Sequence, residues 1–544
     1  MVAALLLPAA VLAPLLVAAL ALTAAGRPSA VRLLPAAPLP ALAAALLLPD
    51  GASVAMPVVV LGTTLEPDGL GRLFLGGSAL VWAVAGLHWR LTGSDPADPA
   101  ERRRVVFFLV TQAGSLGAPM VADAVAFYVF FAVMTIAAYG MIAAGSDPEG
   151  RGAGRLYLTV ALFGELLTLA AFMIMAAGRS PELAALLLLF GLGSKLGVLP
   201  LHVAQAPAYA AMPPAAAAAF AAPVLNAAVY GLLRFLPPEG VALPGLAGPV
   251  VVLGLATAWI GGLLAITQRQ PRALLGYSTV SQMGMLTVGL AVLAAAPGGR
   301  AGVAALAFFA VHHALVKAAL LLATGGVGRG RSGLAVAALL ALSMAALPPT
   351  GGALAKAWLE DAAGMLPEPW LGLIHVGLPL TSALTVLYMT RFLLLLRGDG
   401  TVPAGRGGAG AFLGLAAAAL AGPWVLVALW SPAAAAPAAL LAHLPALLWP
   451  VALGAVLAAV LWRTGWRVPA VPPGDVALPA ARLVRAAARL RDLPDMPSPM
   501  PALQRLWGLA SRRVMALERR LVAQHVLGLG FFSLLAVLML LATL

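Results

Sequence analysis

Gly191-Leu-Gly-Ser-Lys-Leu-Gly-Val-Leu-Pro200 sets one lysine, Lys195, inside an apolar run and follows it with a proline five residues later. The surrounding run extends over 182–203, close to the roughly 20 residues that cross a bilayer as helix. A charge at mid-bilayer costs roughly 2.5–3.5 kcal/mol on insertion scales. Proline removes a backbone donor, and glycine permits conformations other residues avoid. Broken helices at membrane depth are where transporters place ion sites, because freed backbone groups and water can meet the charge. The stretch therefore predicts a membrane helix interrupted beside a buried, titratable group.

The rest of the chain extends that reading. It has 544 residues, 62% of them hydrophobic and 10% charged, where a soluble chain would carry roughly 25% charged residues. Apolar runs predict about sixteen transmembrane helices, at 2–24, 34–49, 70–90, 105–120, 124–144, 155–177, 182–203, 214–236, 246–267, 272–294, 301–325, 333–361, 369–396, 410–430, 446–462 and 524–543. A spanning strand barrel would show alternating segments of about 10 residues, and none occur. The fold class is thus all-α and polytopic. The first run lacks a basic leader and reads as a retained helix. With no cysteine, disulfides, thiolate-held iron–sulfur clusters and thiolate zinc sites are excluded. No cofactor, metal or catalytic residue is expected.

The formal charge of +13 does not point to nucleic acid, because the arginines flank the apolar runs. With the N-terminus outside, the cytoplasmic loops hold Arg27, Arg32, Arg102, Arg103, Arg104, Arg151, Arg155, Arg269, Arg272, Arg329, Arg331, Arg397 and Arg406. The outside loops hold mainly Arg179 and Arg300. That bias follows the positive-inside rule and predicts a bacterial inner-membrane protein. Residues 464–523 are rich in Arg and Pro. Leu503, Leu506, Trp507, Ala510, Val514, Leu517 and Leu521 recur there at helical spacing, opposite Arg505, Arg512, Arg513, Arg519 and Arg520. This predicts an amphipathic helix along the cytoplasmic face, followed by a C-terminal anchor at 524–544.

Only three lysines stand against thirty arginines: Lys195, Lys317 and Lys356, each inside an apolar span. Arginine stays protonated in proteins, whereas a desolvated lysine can release its proton. Lys356 follows Pro348, Pro349, Gly351 and Gly352, a second predicted break. His313 and Lys317, four residues apart, share one helix face, with His312 beside them. A metal site at His312 and His313 is disfavoured, because adjacent helical residues point apart. Glu165 is the clearest acid inside a span and needs a basic partner, for which Lys195 is the candidate. Asp123 reads as a cap. Glu360 and Asp361 fall near the outer end of the twelfth span, and His202 follows Pro200. The relay expected is Glu165, Lys195, His312, His313, Lys317 and Lys356, with His202, Asn226, Glu360 and Asp361 as further members.

These segments resemble the antiporter-like, proton-conducting subunits of respiratory complex I, Mrp antiporters and membrane-bound hydrogenases. Ser194-Lys-Leu-Gly-Val-Leu-Pro-Leu-His202 looks like the family's lysine-bearing broken seventh helix. Leu274-Leu-Gly-Tyr-Ser-Thr-Val-Ser-Gln-Met-Gly284 looks like its most recognisable signature. His313-Ala-Leu-Val-Lys317 is similar to its eleventh-helix pair, and Leu347-Pro-Pro-Thr-Gly-Gly-Ala-Leu-Ala-Lys356 to its broken twelfth helix. The order holds over about residues 100–400. The resemblance implies two inverted five-helix repeats, at 105–240 and 241–400. Around them stand N-terminal helices at 1–104, further helices at 401–463 and the lateral segment at 464–523.

The sequence departs from the family at two positions. A glutamate usual in the fifth helix is replaced by Ala132, and a lysine common in the eighth helix by Asn226. Either Glu165 takes the missing acid's place, or conduction is impaired. The resemblance implies a proton- or cation-translocating subunit without redox chemistry of its own, working with other membrane subunits on protons or Na+. The alternatives are a subunit of a non-redox assembly, Mrp-type or for inorganic-carbon uptake, and a scaffold that has lost conduction.

Overall fold

A computed structural model describes residues 2–57, 62–92, 98–145, 147–236, 241–295, 300–398, 407–430, 440–464 and 468–475. Helices account for nearly all of them. In order they are α1 (Val2–Leu22), α2 (Arg27–Leu33), α3 (Leu39–Leu47), α4 (Gly69–Thr92), α5 (Pro99–Gly117), α6 (Ala124–Ala143) and α7 (Pro148–Ala176). Next come α8 (Pro181–Leu196), α9 (Gln205–Ala211), α10 (Pro214–Ala219), α11 (Leu225–Phe235), α12 (Pro244–Thr267), α13 (Pro271–Ala295) and α14 (Arg300–Ala323). The series closes with α15 (Arg331–Met344), α16 (Gly351–Ala363), α17 (Trp370–Gly398), α18 (Ala409–Trp430) and α19 (Leu444–Thr464). The chain divides into two units. Residues 1–54 and 65–474 carry these helices, and residues 55–64 and 475–544 form the second unit. A two-stranded ribbon pairs Val54–Met56 with Thr63–Leu65.

Twelve helices among the described residues are long and apolar enough to cross a bilayer. The expected span at 34–49 is not one helix. The helical path starts earlier, at Arg27, and breaks into α2 and α3 through a turn at 34–38. Pro35 and Pro38 lie in that turn and cannot donate to it. The 105–120 span begins six residues early, where Asp98 caps α5 by accepting from Ala100 N at 2.9 Å. Asp123 and Asp147 cap α6 and α7 in the same way, at 2.7 and 2.6 Å. Each satisfies a donor that a helix start leaves open. The lateral helix, but for 468–475, and the anchor at 524–543 lie outside the described residues.

The two expected breaks are present. α8 ends at Gly197, whose φ of +77° is left-handed, and the chain restarts as α9. The span at 333–361 is two pieces, α15 of 14 residues and α16 of 13. Between them Ala346 holds a φ of +63°, which costs a non-glycine residue about 1–2 kcal/mol. Each break falls in the fourth member of a set of five: α5, α6, α7, α8–α9 and α10–α11, then α12, α13, α14, α15–α16 and α17. Helices α10–α11, α13 and α14 are buried almost throughout and form the centre of the molecule.

Close packing at the second break depends on glycine. A Cβ on Gly352 would overlap the Ser343 carbonyl oxygen and stand 3.1 Å from His312 Cε1. Gly352→Ala should therefore lower stability by about 3 kcal/mol. Gly410→Ala, where a Cβ meets nothing within 4 Å, should change little. Thermal melting of both variants in detergent checks this, and equal melting temperatures would contradict the packing described.

Candidate functional site

Lys195 occupies the last turn of α8, just before the break, and is buried. Its Nζ donates to Tyr157 Oη at 3.2 Å and lies 4.0 Å from Glu165 Oε1. The ammonium also stands 4.8 Å from the Tyr157 ring centroid and 5.7 Å from that of Phe131, a cation–π setting. Glu165 Oε1 accepts from Thr135 Oγ1 at 2.5 Å, while its Oε2 has no hydrogen-bond partner among the described residues. Helices α7 and α8 approach closely because Gly164 faces Ser194 and Gly191 faces Thr168, where a Cβ would overlap each hydroxyl. That approach puts the carboxylate beside the amine. At 4.0 Å the pair is looser than a tight ammonium–carboxylate bond of about 2.8 Å, so small side-chain motions make or break it. Ala132, where the family's glutamate usually stands, is half-buried on α6. Thr135, three residues further on, is the α6 group that reaches Glu165.

The second half is arranged differently. Lys317 is fully buried in α14; its Nζ donates to Ser278 Oγ at 2.7 Å and to the Leu275 carbonyl at 3.4 Å. Among the described residues no carboxylate lies within 4.0 Å of it. One turn earlier His313 is buried, and neither ring nitrogen has a hydrogen-bond partner among the described residues. His312 Nε2 meets Ser343 Oγ at 2.9 Å. Both histidines line a small cavity with Gln282, Ser382, Thr385 and Lys356, with room for about one water. Gln282 Nε2 donates to Tyr388 Oη at 3.0 Å and to Thr385 Oγ1 at 3.3 Å. Lys356 lies on the far side of the cavity, in α16. Its Nζ has no hydrogen bond within 3.5 Å among the described residues and stands 3.6 Å from Glu360 Oε1.

The structure thus brings Glu165 to Lys195, and His312, His313 and Lys356 to one cavity with Glu360 behind it. His202 sits at the first break with Nδ1 3.2 Å from the Pro200 carbonyl. Asn226 is buried on α11 with its amide nitrogen unpartnered. The sequence reading missed Tyr157, Thr135, Ser343 and His443, which no spacing singles out. Ser278 stood within the quoted signature, unremarked.

Fold and site together define a polytopic helical membrane protein with two broken helices and a buried lysine series. Residues 122–378 match the family described as NADH:quinone oxidoreductase/Mrp antiporter, TM. The subunit N of NADH-quinone oxidoreductase from Desulforudis audaxviator is 30% identical over 363 residues, 58% of this chain and 68% of that relative. The chain therefore belongs to this family. Formate hydrogenlyase subunit 3 of Escherichia coli is 30% identical over 247 residues, covering 38% of this chain and 39% of that protein. Two solved structures share the fold. A chain of an archaeal membrane-bound sulfane sulfur reductase has TM-score 0.65 and 22% identity, covering 99% of this chain and 100% of that one. A chain of the Mrp complex from Dietzia has TM-score 0.67 and 21% identity, covering 96% and 63%.

The asymmetry between the lysines is testable through stability. Replacing a buried charge that lacks a counter-charge with an apolar group of similar length is often neutral or stabilising. Lys317→Met should leave the melting temperature unchanged or raised. Glu165→Leu, which strands the Lys195 ammonium, should lower stability by about 3 kcal/mol. Equal destabilisation by both in thermal melts would contradict the assignment.

Proposed function

We propose that this chain is a proton-translocating membrane subunit of a multi-subunit energy-converting complex, seated in the bacterial cytoplasmic membrane with its N-terminus outside. The observation that carries this reading is the loose pair of Lys195 and Glu165 beside a break in a buried helix. Behind it stand two further lysines in surroundings of different charge. Amines and imidazoles carry protons, whereas Na+ is held by sets of oxygen ligands, as hard cations are. A relay of Lys195, His313, Lys317 and Lys356 therefore favours the proton as the ion moved.

The chemistry follows from burial. A charged amine without a nearby counter-charge is disfavoured against its neutral form in a desolvated site. When Glu165 approaches Lys195, the ammonium is stabilised and the lysine holds its proton. When the pair opens, the proton is released into the protein. Interacting sites of this kind titrate as a group rather than singly. Charge arriving at Lys317 acts on His313, one turn away on α14, by electrostatic repulsion, and His313 shares the water-sized cavity with Lys356. Glu165 and Thr135 here do the work of the fifth-helix acid that Ala132 replaces, and Asn226 leaves a polar but untitratable step between the halves. Matched relatives are subunits of NADH-quinone oxidoreductase and formate hydrogenlyase, which supports a place beside other membrane subunits in a redox-driven complex.

Glu165→Gln keeps size and removes charge. It should cut proton flux in the reconstituted complex by about tenfold or more while leaving assembly intact, and Lys195→Ala should abolish flux. Near-normal flux in Glu165→Gln alongside an inactive Lys195→Ala would remove Glu165 from the relay.

A further inference from the structure

The second lysine-bearing broken helix ends in a chain of contacts that climbs towards the protein surface. Lys356 Nζ, 1% exposed, lies 3.6 Å from Glu360 Oε1. The other oxygen of that carboxylate, Oε2, is 3.3 Å from His443 Nδ1. The other nitrogen of that imidazole, Nε2, is 2.7 Å from Asp361 Oδ1. Side-chain exposure rises in step along the series, from 1% at Lys356 to 8% at Glu360, 22% at His443 and 55% at Asp361. His443 comes from the residue immediately before α19, some eighty positions beyond α16, so the fold alone brings it there.

We infer that Glu360, His443 and Asp361 form the proton port of the second half, through which Lys356 exchanges its proton with the aqueous phase. The inference rests on the conductor reading above and adds the point where the path meets water. Both ring nitrogens of His443 face carboxylate oxygens. A neutral imidazole has one N–H and can satisfy only one ionised carboxylate as donor. The ring therefore suits either a doubly protonated state or a proton shared with one of the acids.

Outward transfer balances as proton movement alone. The Lys356 ammonium gives its proton to Glu360 and becomes a neutral amine. With the ring neutral and its N–H on Nε2, Glu360 passes that proton to His443 Nδ1, and the ring releases the Nε2 proton to Asp361 and thence to water. The ring is left protonated on Nδ1 and must turn over before the next proton, which its partly exposed position permits. Inward transfer reverses these steps. The charged groups that face His443 among the described residues are Glu360 and Asp361 on α16, with Lys356 one contact behind. Glu360 and Asp361 are adjacent in sequence and point to different depths. The pair therefore straddles the boundary between buried path and water.

The alternative role for His443 is a clasp that merely ties α16 to α19. The intact complex, reconstituted in liposomes carrying an internal pH dye and driven by an imposed potassium diffusion potential, separates the two. His443→Gln keeps hydrogen-bonding capacity but cannot carry a proton; flux should fall by about tenfold or more. In His443→Gly, external imidazole should restore flux, since the port is open to water. Wild-type flux in His443→Gln, or a loss in His443→Gly that imidazole does not relieve, would overturn the port. Where a His443 variant fails to assemble, Asp361→Asn carries the test: lowered flux supports the port and unchanged flux overturns it. Lys195→Ala runs in parallel, and normal flux there would show that the conductor reading itself has failed.

Discussion

A lysine ammonium held within the thickness of a bilayer must find a counter-charge, a set of acceptors or a route to release its proton. The interior of this chain is organised around that constraint. Lys195 meets it with a carboxylate and two aromatic faces, Lys317 with a hydroxyl and a backbone carbonyl, and Lys356 with a carboxylate that leads towards the surface. The supporting architecture follows. Helices α7 and α8 touch through glycine so that Glu165 can reach Lys195. The α15–α16 break is closed by Gly351 and Gly352 against His312.

The three solutions are not equivalent, and their differences give the relay a shape. A loosely paired lysine responds to a small displacement of its partner. A lysine with only neutral acceptors answers to the charge of its neighbours. A lysine connected to partly exposed acids can exchange with water. On the conductor reading proposed above, these properties suit a modulated site, an internal step and an outlet. The two broken helices differ in their surroundings: Lys195 precedes its break in α8, whereas Lys356 follows its break in α16.

Much of this was legible in the sequence because buried charge is rare and therefore informative. Three lysines in a chain that otherwise uses arginine stood out, and all three lie buried. Proline and glycine beside Lys195 and Lys356 marked the breaks, and a lone glutamate marked its own partner. What the sequence concealed was local or long-range in a different way. The run at 34–49 reads as one apolar span, but a proline-bearing turn at 34–38 leaves only α3 within it and sets it apart from α2. Thr135 and Tyr157 are unremarkable in apolar runs and acquire meaning only when α6, α7 and α8 pack together. His443 stands at the edge of a distant helix, and only the tertiary fold sets both its nitrogens against acids on α16.

The central claim is that the buried lysines work by releasing protons, not by supplying fixed positive charge. Lys317→Arg separates these directly, because arginine retains its charge and does not give up its proton. Proton flux through the reconstituted complex, measured for Lys317→Arg beside Lys317→Met with assembly verified for both, is the decisive comparison. The account predicts that arginine stops flux as completely as methionine does. Flux close to wild type in Lys317→Arg would show that positive charge alone suffices at this position and would contradict the relay.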